Sequence, residues 1–277
     1  MGLMGLGGAR AMAMARVRAL LAKELLDLSR NRLALLPVGL ITILSLVLPF
    51  GIAVAIPMLT GQELGSDADL VKVSGVAVGH ESLTPSARVQ LFLFQQFLLL
   101  FLLTPITGAM ALAAHAVIGE KQARTLEPLL ATPVSTGELL VAKMLGALLP
   151  TLVISLAGLG LYLGGIVATA APGVAAAMLS LRTAILAIWV GPAAALVSLQ
   201  SAIIISSRVN DARTAQQFGV LIIIPLAAVL VAQFTGALWL SSTMLALLGL
   251  GLVGVWLLLV LLSVAVFDRD SILTRWR

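Results

Sequence analysis

The chain has 277 residues, 60% of them hydrophobic and 10% charged, with a net charge of +5. A soluble domain is about 45–50% apolar and about 25% charged, so a water-soluble globule, a disordered chain and a collagen-like chain are all excluded. There is no Cys and there are two His, His80 and His115, which excludes disulfide frameworks, thiolate metal sites and Cys nucleophiles and leaves little for a multi-histidine metal centre.

Taken in chain order, residues 1–32 form a basic segment carrying an amphipathic helix over Arg16–Arg32. At 100° per residue, Val17, Leu20, Leu21, Leu25 and Leu28 share one face, suited to the membrane interface, with Arg16, Lys23, Asp27 and Arg30 opposite. Glu24 falls within the apolar face, either snorkelling to water or making a polar contact with a partner or a loop. Six basic residues then precede a 30-residue run without charge. That is a retained first span, because a cleavable signal has an apolar core of only about 7–15 residues.

Charge-free runs cover 33–62, 89–119, 144–181, 183–207 and 214–267. A span needs about 20 apolar residues. The last run, 54 residues, would make about 81 Å of helix, so it folds back on itself. The break falls near Thr235–Ser242, where Thr, Gly and Ser cluster. Ala171-Pro172-Gly173 interrupts the third run. Six helical spans are expected at about 34–57, 90–117, 142–166, 180–205, 218–237 and 244–266, with a tail at 268–277. They are continuously apolar and do not alternate, which excludes a barrel.

Between spans one and two, residues 63–89 hold Glu63, Asp67, Asp69 and Glu81 against Lys72 and Arg88 and read as a soluble loop. Span two carries Gln96, Thr104, Thr107, Ala111 and His115 on one arc, which suits helix packing, a pathway or contact with a second copy; Pro105 loosens the helix there. Gly160 and Gly164 form a GxxxG that permits close helix contact. Gly119–Lys143 reads as a short surface helix after Thr125, ended at Thr132-Pro133, followed by a new helix capped by Ser135 with Glu138 as its box partner. Ser206–Phe218 is a short polar loop, and Trp276 beside Arg275 and Arg277 suits an interfacial anchor.

Fourteen of the 17 Lys and Arg residues lie on one side of this topology, leaving Lys72, Arg88 and Arg182 on the other. The basic side is expected to be cytoplasmic, with both termini there. The positive charge therefore reflects topology and calls for no nucleic acid.

Glu120-Lys121-Gln122-Ala123-Arg124-Thr125-Leu126-Glu127-Pro128-Leu129-Leu130-Ala131-Thr132-Pro133-Val134-Ser135, followed by Glu138-Leu139-Leu140 and Lys143, resembles the signature of ABC type-2 permeases. Gln122 stands where that pattern has Glu, and Arg124 where Gly is common. Lys23-Glu24 before span one, Asp211–Gln217 after span four and Phe267-Asp268-Arg269-Asp270 after span six extend the resemblance over nearly the whole chain. It implies an all-α half-transporter of the type V exporter fold in the plasma membrane, paired with a second permease copy or paralogue.

The resemblance also implies a separate ABC ATPase that binds ATP and Mg. Its coupling helix would be the segment after span two, and its connecting helix the N-terminal one, with Lys23 and Glu24. No Gly-Lys dipeptide exists for a Walker A loop, since Lys23, Lys72, Lys121 and Lys143 follow Ala, Val, Glu and Ala. The chain itself is thus not expected to be an enzyme, and no cofactor or metal is expected in it.

Leu126, Leu129 and Leu130 would make the apolar contact with the ATPase, and Glu120, Lys121, Arg124 and Glu127 would set its register, between Thr125 and Thr132-Pro133. No Asp, Glu, Lys or Arg lies deep in an expected span. That argues against an ion-coupled carrier and favours an apolar or amphipathic substrate such as a drug or lipid. A membrane scaffold or passive channel anchoring an ATPase is the alternative.

Overall fold

The computed structural model describes residues 2–78, 82–122, 135–209, 211, 214, 217 and 220–266. Among the described residues the secondary structure is helical, with no strand. Helix α1 (Gly2–Arg30) precedes α2 (Arg32–Phe50), which continues through a π-helical turn at Gly51–Ala55 into α3 (Ile56–Thr60). A 3-10 turn at Leu64–Ser66 and α4 (Ala68–Val78) lead to α5 (Pro85–Phe101) and α6 (Leu103–Gln122). Then come α7 (Thr136–Thr169), α8 (Val174–Met178), α9 (Leu181–Ala184), a second π-helical turn at Ile185–Val190 and α10 (Gly191–Arg208). Helices α11 (Val220–Phe234) and α12 (Ser242–Val266) complete the bundle.

Among the described residues five stretches are long and apolar enough to cross a membrane: Leu35–Thr60, Pro85–Gly119, Gly137–Thr169, Leu181–Arg208 and Ser242–Ser263. Where the sequence reading places a fifth span at 218–237, α11 has 15 residues, about 22 Å of helix against a hydrocarbon core of about 30 Å. It stops because Gly236 adopts a left-handed conformation (φ 72°) and its N–H donates to Gln233 O at 3.1 Å. We call the end of the bundle carrying α1, the last turn of α6 and the first of α7 the near end, and the opposite end the far end.

The Pro85–Gly119 stretch is the axis of the bundle, with 78% of its most apolar window buried, against 11% for Ser242–Ser263. Its far half packs aromatics: Phe94 meets Phe50 and Tyr162, and Phe92 meets Phe234 and Trp239. Tyr162 is buried and donates to Phe94 O at 2.7 Å. Its near half packs small residues, with Ala109 and Ala113 in one buried cluster with Ala195 and Ala202 of α10, which lets the helix backbones approach closely. The two halves meet at Leu102, a break one turn before Pro105, which lacks the N–H to continue the ladder.

Proline also explains a buried glutamine. Pro57 has no N–H to return to the carbonyl four residues back, and Gln90 Nε2 donates to that carbonyl, Ala53 O, at 3.0 Å. Gln90 Oε1 accepts from Ala171 N at 2.7 Å, so one side chain satisfies two backbone groups that apolar surroundings would leave unpaired.

One sequence expectation is corrected by the packing. The 63–89 segment is not a solvated loop: it contains α4, whose Leu70, Val71 and Val73 pack on the far-half core. Asp67 starts α4 by accepting from Asp69 N and Leu70 N at 3.0 and 3.1 Å. Beside Gly160 and Gly164 the described residues leave open space. Close approaches between helices include Gly108 against Thr151 and Val38, Gly146 against Glu24, and Gly158 against Phe101 and Thr42.

Candidate coupling site

At the near end, α7 begins at Ser135. Its Oγ accepts from Glu138 N at 3.2 Å, while Ser135 N donates to Glu138 Oε2 at 2.8 Å, a reciprocal capping box. The Glu138 carboxylate is shared with α1. Arg16 Nη2 donates to Oε1 at 2.6 Å, and Arg16 Nε lies 3.2 Å from both oxygens. The residue that starts span three is thereby bonded to the N-terminal helix, 122 positions away.

Two turns further along α7, Lys143 Nζ donates to Glu24 Oε1 at 3.2 Å and to Ala116 O of α6 at 3.0 Å. The Lys143 and Glu24 side chains are 4% and 9% exposed. Lys23, on the outer side, lies 3.7 Å from Glu24 and 3.8 Å from Asp27. Close approach is possible because Gly146 faces Glu24: a Cβ at 146 would stand 2.7 Å from the Glu24 Cβ. Lys143 therefore joins three helices, α1, α6 and α7. Residues 123–134, which link α6 to α7 and lie outside the described residues, have both flanking helices fixed by this lysine.

A family model described as ABC-2 family transporter protein matches residues 18–268. The chain belongs to this family. No curated protein matches it. As an ABC-2 protein it is a multi-pass membrane subunit of an ABC transporter, and its family partners an ABC ATPase subunit.

Arg124, Thr125, Leu126, Glu127, Leu129, Leu130, Thr132 and Pro133 lie outside the described residues, as do the side chains of Glu120 and Lys121, whose backbone ends α6. Lys23 and Glu24 sit in the last third of α1, which runs from Gly2 and so begins well before Arg16. The packed face of α1 is centred on Glu24, with Arg16, Val17, Leu20, Leu21 and Leu28 partly buried beside it and Leu25 left exposed. Leu25 was expected in that face; pairing Glu24 with Lys143 rotates it outward. Of the two readings open for Glu24, the structure has the polar contact, and the contact is to span three.

On the span-two arc, Gln96 and Thr104 are wholly buried, and neither Gln96 amide atom nor Thr104 Oγ1 has a hydrogen-bond partner. Thr107 and His115 are half-buried, and Thr107 Oγ1 donates to Leu103 O at 2.6 Å. After span four, Asp211 Oδ2 accepts from Thr214 N at 3.0 Å and from its hydroxyl at 3.1 Å.

Sequence reading missed the partners of Arg16 and Lys143. A carboxylate on an otherwise apolar helix face was the available signal, since a buried charge requires a partner.

Proposed function

We propose that this ABC-2 protein is the permease of an ATP-driven exporter that moves an apolar or amphipathic substrate by alternating access. In this reading it has six spans, the fifth formed by α11 and its flanks, in a type V exporter-like half-transporter. The near end and both termini face the cytoplasm, and the bilayer is the plasma membrane. Two permeases pair, as two copies or as a copy and a paralogue, and ATP with Mg is bound by the separate ATPase subunits.

The observation that carries the reading is the Lys143 junction. A segment that receives force from an ATPase must be rigidly joined to the helices it moves. Lys143 joins α6 and α7, on either side of 123–134, to α1 through Ala116 O and Glu24. Leu126, Leu129 and Leu130 supply the apolar contact with the ATPase, Glu120, Lys121, Arg124 and Glu127 its charged register, and Thr125, Thr132 and Pro133 the bounds of the docking helix. ATP draws the ATPases together, the segment is displaced, and spans two and three tilt as a unit with α1. Such a switch requires ATPase contacts that differ between the two states. Gln96, Thr104, Thr107 and His115 then line the pathway or the permease–permease face once the spans separate, which gives the unpartnered Gln96 and Thr104 groups water or substrate to bond.

The test is ATPase activity of the permease–ATPase complex in proteoliposomes against a panel of amphipathic compounds. Stimulation by some of the panel, lost on Leu126→Ala/Leu129→Ala, is the expected result. ATPase activity indifferent to every compound, or an ATP-independent leak, would overturn export in favour of a scaffold or passive channel.

A further inference from the structure

The far end holds a second charged group that the transport reading does not use. Arg182, in the first turn of span four, reaches across the bundle. Its Nη1 donates to Gln95 Oε1 at 2.6 Å, its Nε to Leu240 O at 3.2 Å and its Nη2 to Gln233 Oε1 at 3.5 Å. The guanidinium stands 4.0 Å over the Trp239 ring, which stacks on Phe92 at 6.2 Å. Every acceptor it engages is a neutral amide or carbonyl oxygen. Among the described residues no carboxylate oxygen lies within 4.0 Å of it.

The surroundings add donors. Gln233 is wholly buried and its Nε2 has no partner, and Arg88 Nε is also buried without one. Arg88, Phe92 and Gln95 recur at i, i+4 and i+7 on α5 and so share one face. The cluster therefore combines the Arg182 guanidinium, a spare amide N–H and an aromatic floor, with Arg88 two turns from Gln95 on the same face of α5, and among the described residues no carboxylate pairs with either arginine.

Its depth indicates which kind of anion would suit it. Arg182 is the second residue of the apolar stretch that starts at Leu181, and Trp239 precedes the one that starts at Ser242. Both side chains thus stand at the boundary of the spans, where headgroups lie and where Trp is enriched. Leu179, Leu181, Leu238 and Phe234 around it are exposed apolar surface. Planar guanidinium groups bind phosphate oxygens in pairs, and the apolar rim suits acyl chains.

We propose that Arg182, together with Arg88 and the Gln233 amide, binds the phosphate of an anionic phospholipid headgroup in the leaflet at the far end. The site is separate from the coupling junction and does not depend on the substrate exported.

The test uses the full-length chain in detergent, titrated with phosphatidylglycerol and with phosphatidylcholine of the same acyl chains and followed by native mass spectrometry. Phosphatidylglycerol should bind about tenfold tighter, the size of one charge-assisted hydrogen bond, and the preference should weaken with salt. Arg182→Gln should abolish the preference. Gln233→Leu, which keeps the cation, should reduce it about threefold, and it decides the matter together with Arg88→Gln if Arg182→Gln does not fold. A preference unchanged in Gln233→Leu and Arg88→Gln would overturn the proposal. So would displacement by inorganic phosphate at the lipid's own affinity, which would assign the site to a soluble anion. A preference absent from the wild type but present in Glu81→Gln would also overturn it, because the counter-ion would then be Glu81.

Discussion

Lys143 of α7 donates to Glu24 of α1 at 3.2 Å, and both side chains are almost wholly withdrawn from solvent. Removing one member of a buried pair strands the other charge, at a cost of about 3–5 kcal/mol, whereas replacing both with apolar residues of similar volume is far milder. Glu24→Met and Lys143→Met are therefore each expected to release α1, seen as faster proteolysis of the N-terminal helix. Glu24→Met/Lys143→Met should restore most of the protection. A double variant as labile as the worse single one would mean that the pair does not hold α1.

The outer bond, Arg16 to Glu138, is a partly exposed pair, and such pairs contribute at most about 1 kcal/mol. Glu138 additionally completes the capping box of α7, a feature whose loss costs about 0.5–2 kcal/mol. Thermal unfolding should rank Glu138→Ala as more destabilising than Arg16→Ala, with only the Arg16 effect vanishing at high salt. Equal effects of the two would contradict the cap.

Gly146 and Gly164 lie on the same helix and make opposite predictions. A methyl group at 146 would meet the Glu24 Cβ at 2.7 Å, while 164 has open space beside it. Gly146→Ala should lift α1 from α7 and match Glu24→Met in the proteolysis assay. Gly164→Ala should leave α1 protected.

Gln90 satisfies both Ala53 O and Ala171 N. Each group left unpaired in apolar surroundings costs about 1–3 kcal/mol. Gln90→Leu should lower the unfolding midpoint by several degrees while leaving α1 protected, because the far half loosens and the near-end junction is untouched. An unchanged midpoint would show that these backbone groups find other partners.

Much of the fold was written locally. Continuous apolar runs located five spans because each is long enough to report on its own, and the Ser135–Glu138 box was legible because its two partners are three residues apart. Pro105 and Ala171-Pro172-Gly173 marked interruptions through missing donors and a left-handed glycine, Gly173 at φ 88°. What the sequence did not give was pairing at a distance. Glu24 was visible as a charge out of place, yet its partner stands 119 residues away. The same limit hid Arg182, whose bonds to Gln95 and Gln233 join three helices, and α4, whose apolar side was outweighed by the acids around it.

The central claim is that the segment between α6 and α7 docks an ATPase through its leucines. The most direct measurement is to tag the chain, purify it gently from its own membranes and identify what accompanies it, for the wild type and for Leu126→Ala/Leu129→Ala. The account predicts a Walker-motif ATPase in stoichiometric amount with the wild type and its loss from the double variant. A stable wild-type complex without an ATPase, even after mild crosslinking, or an ATPase retained in full by the double variant, would contradict it.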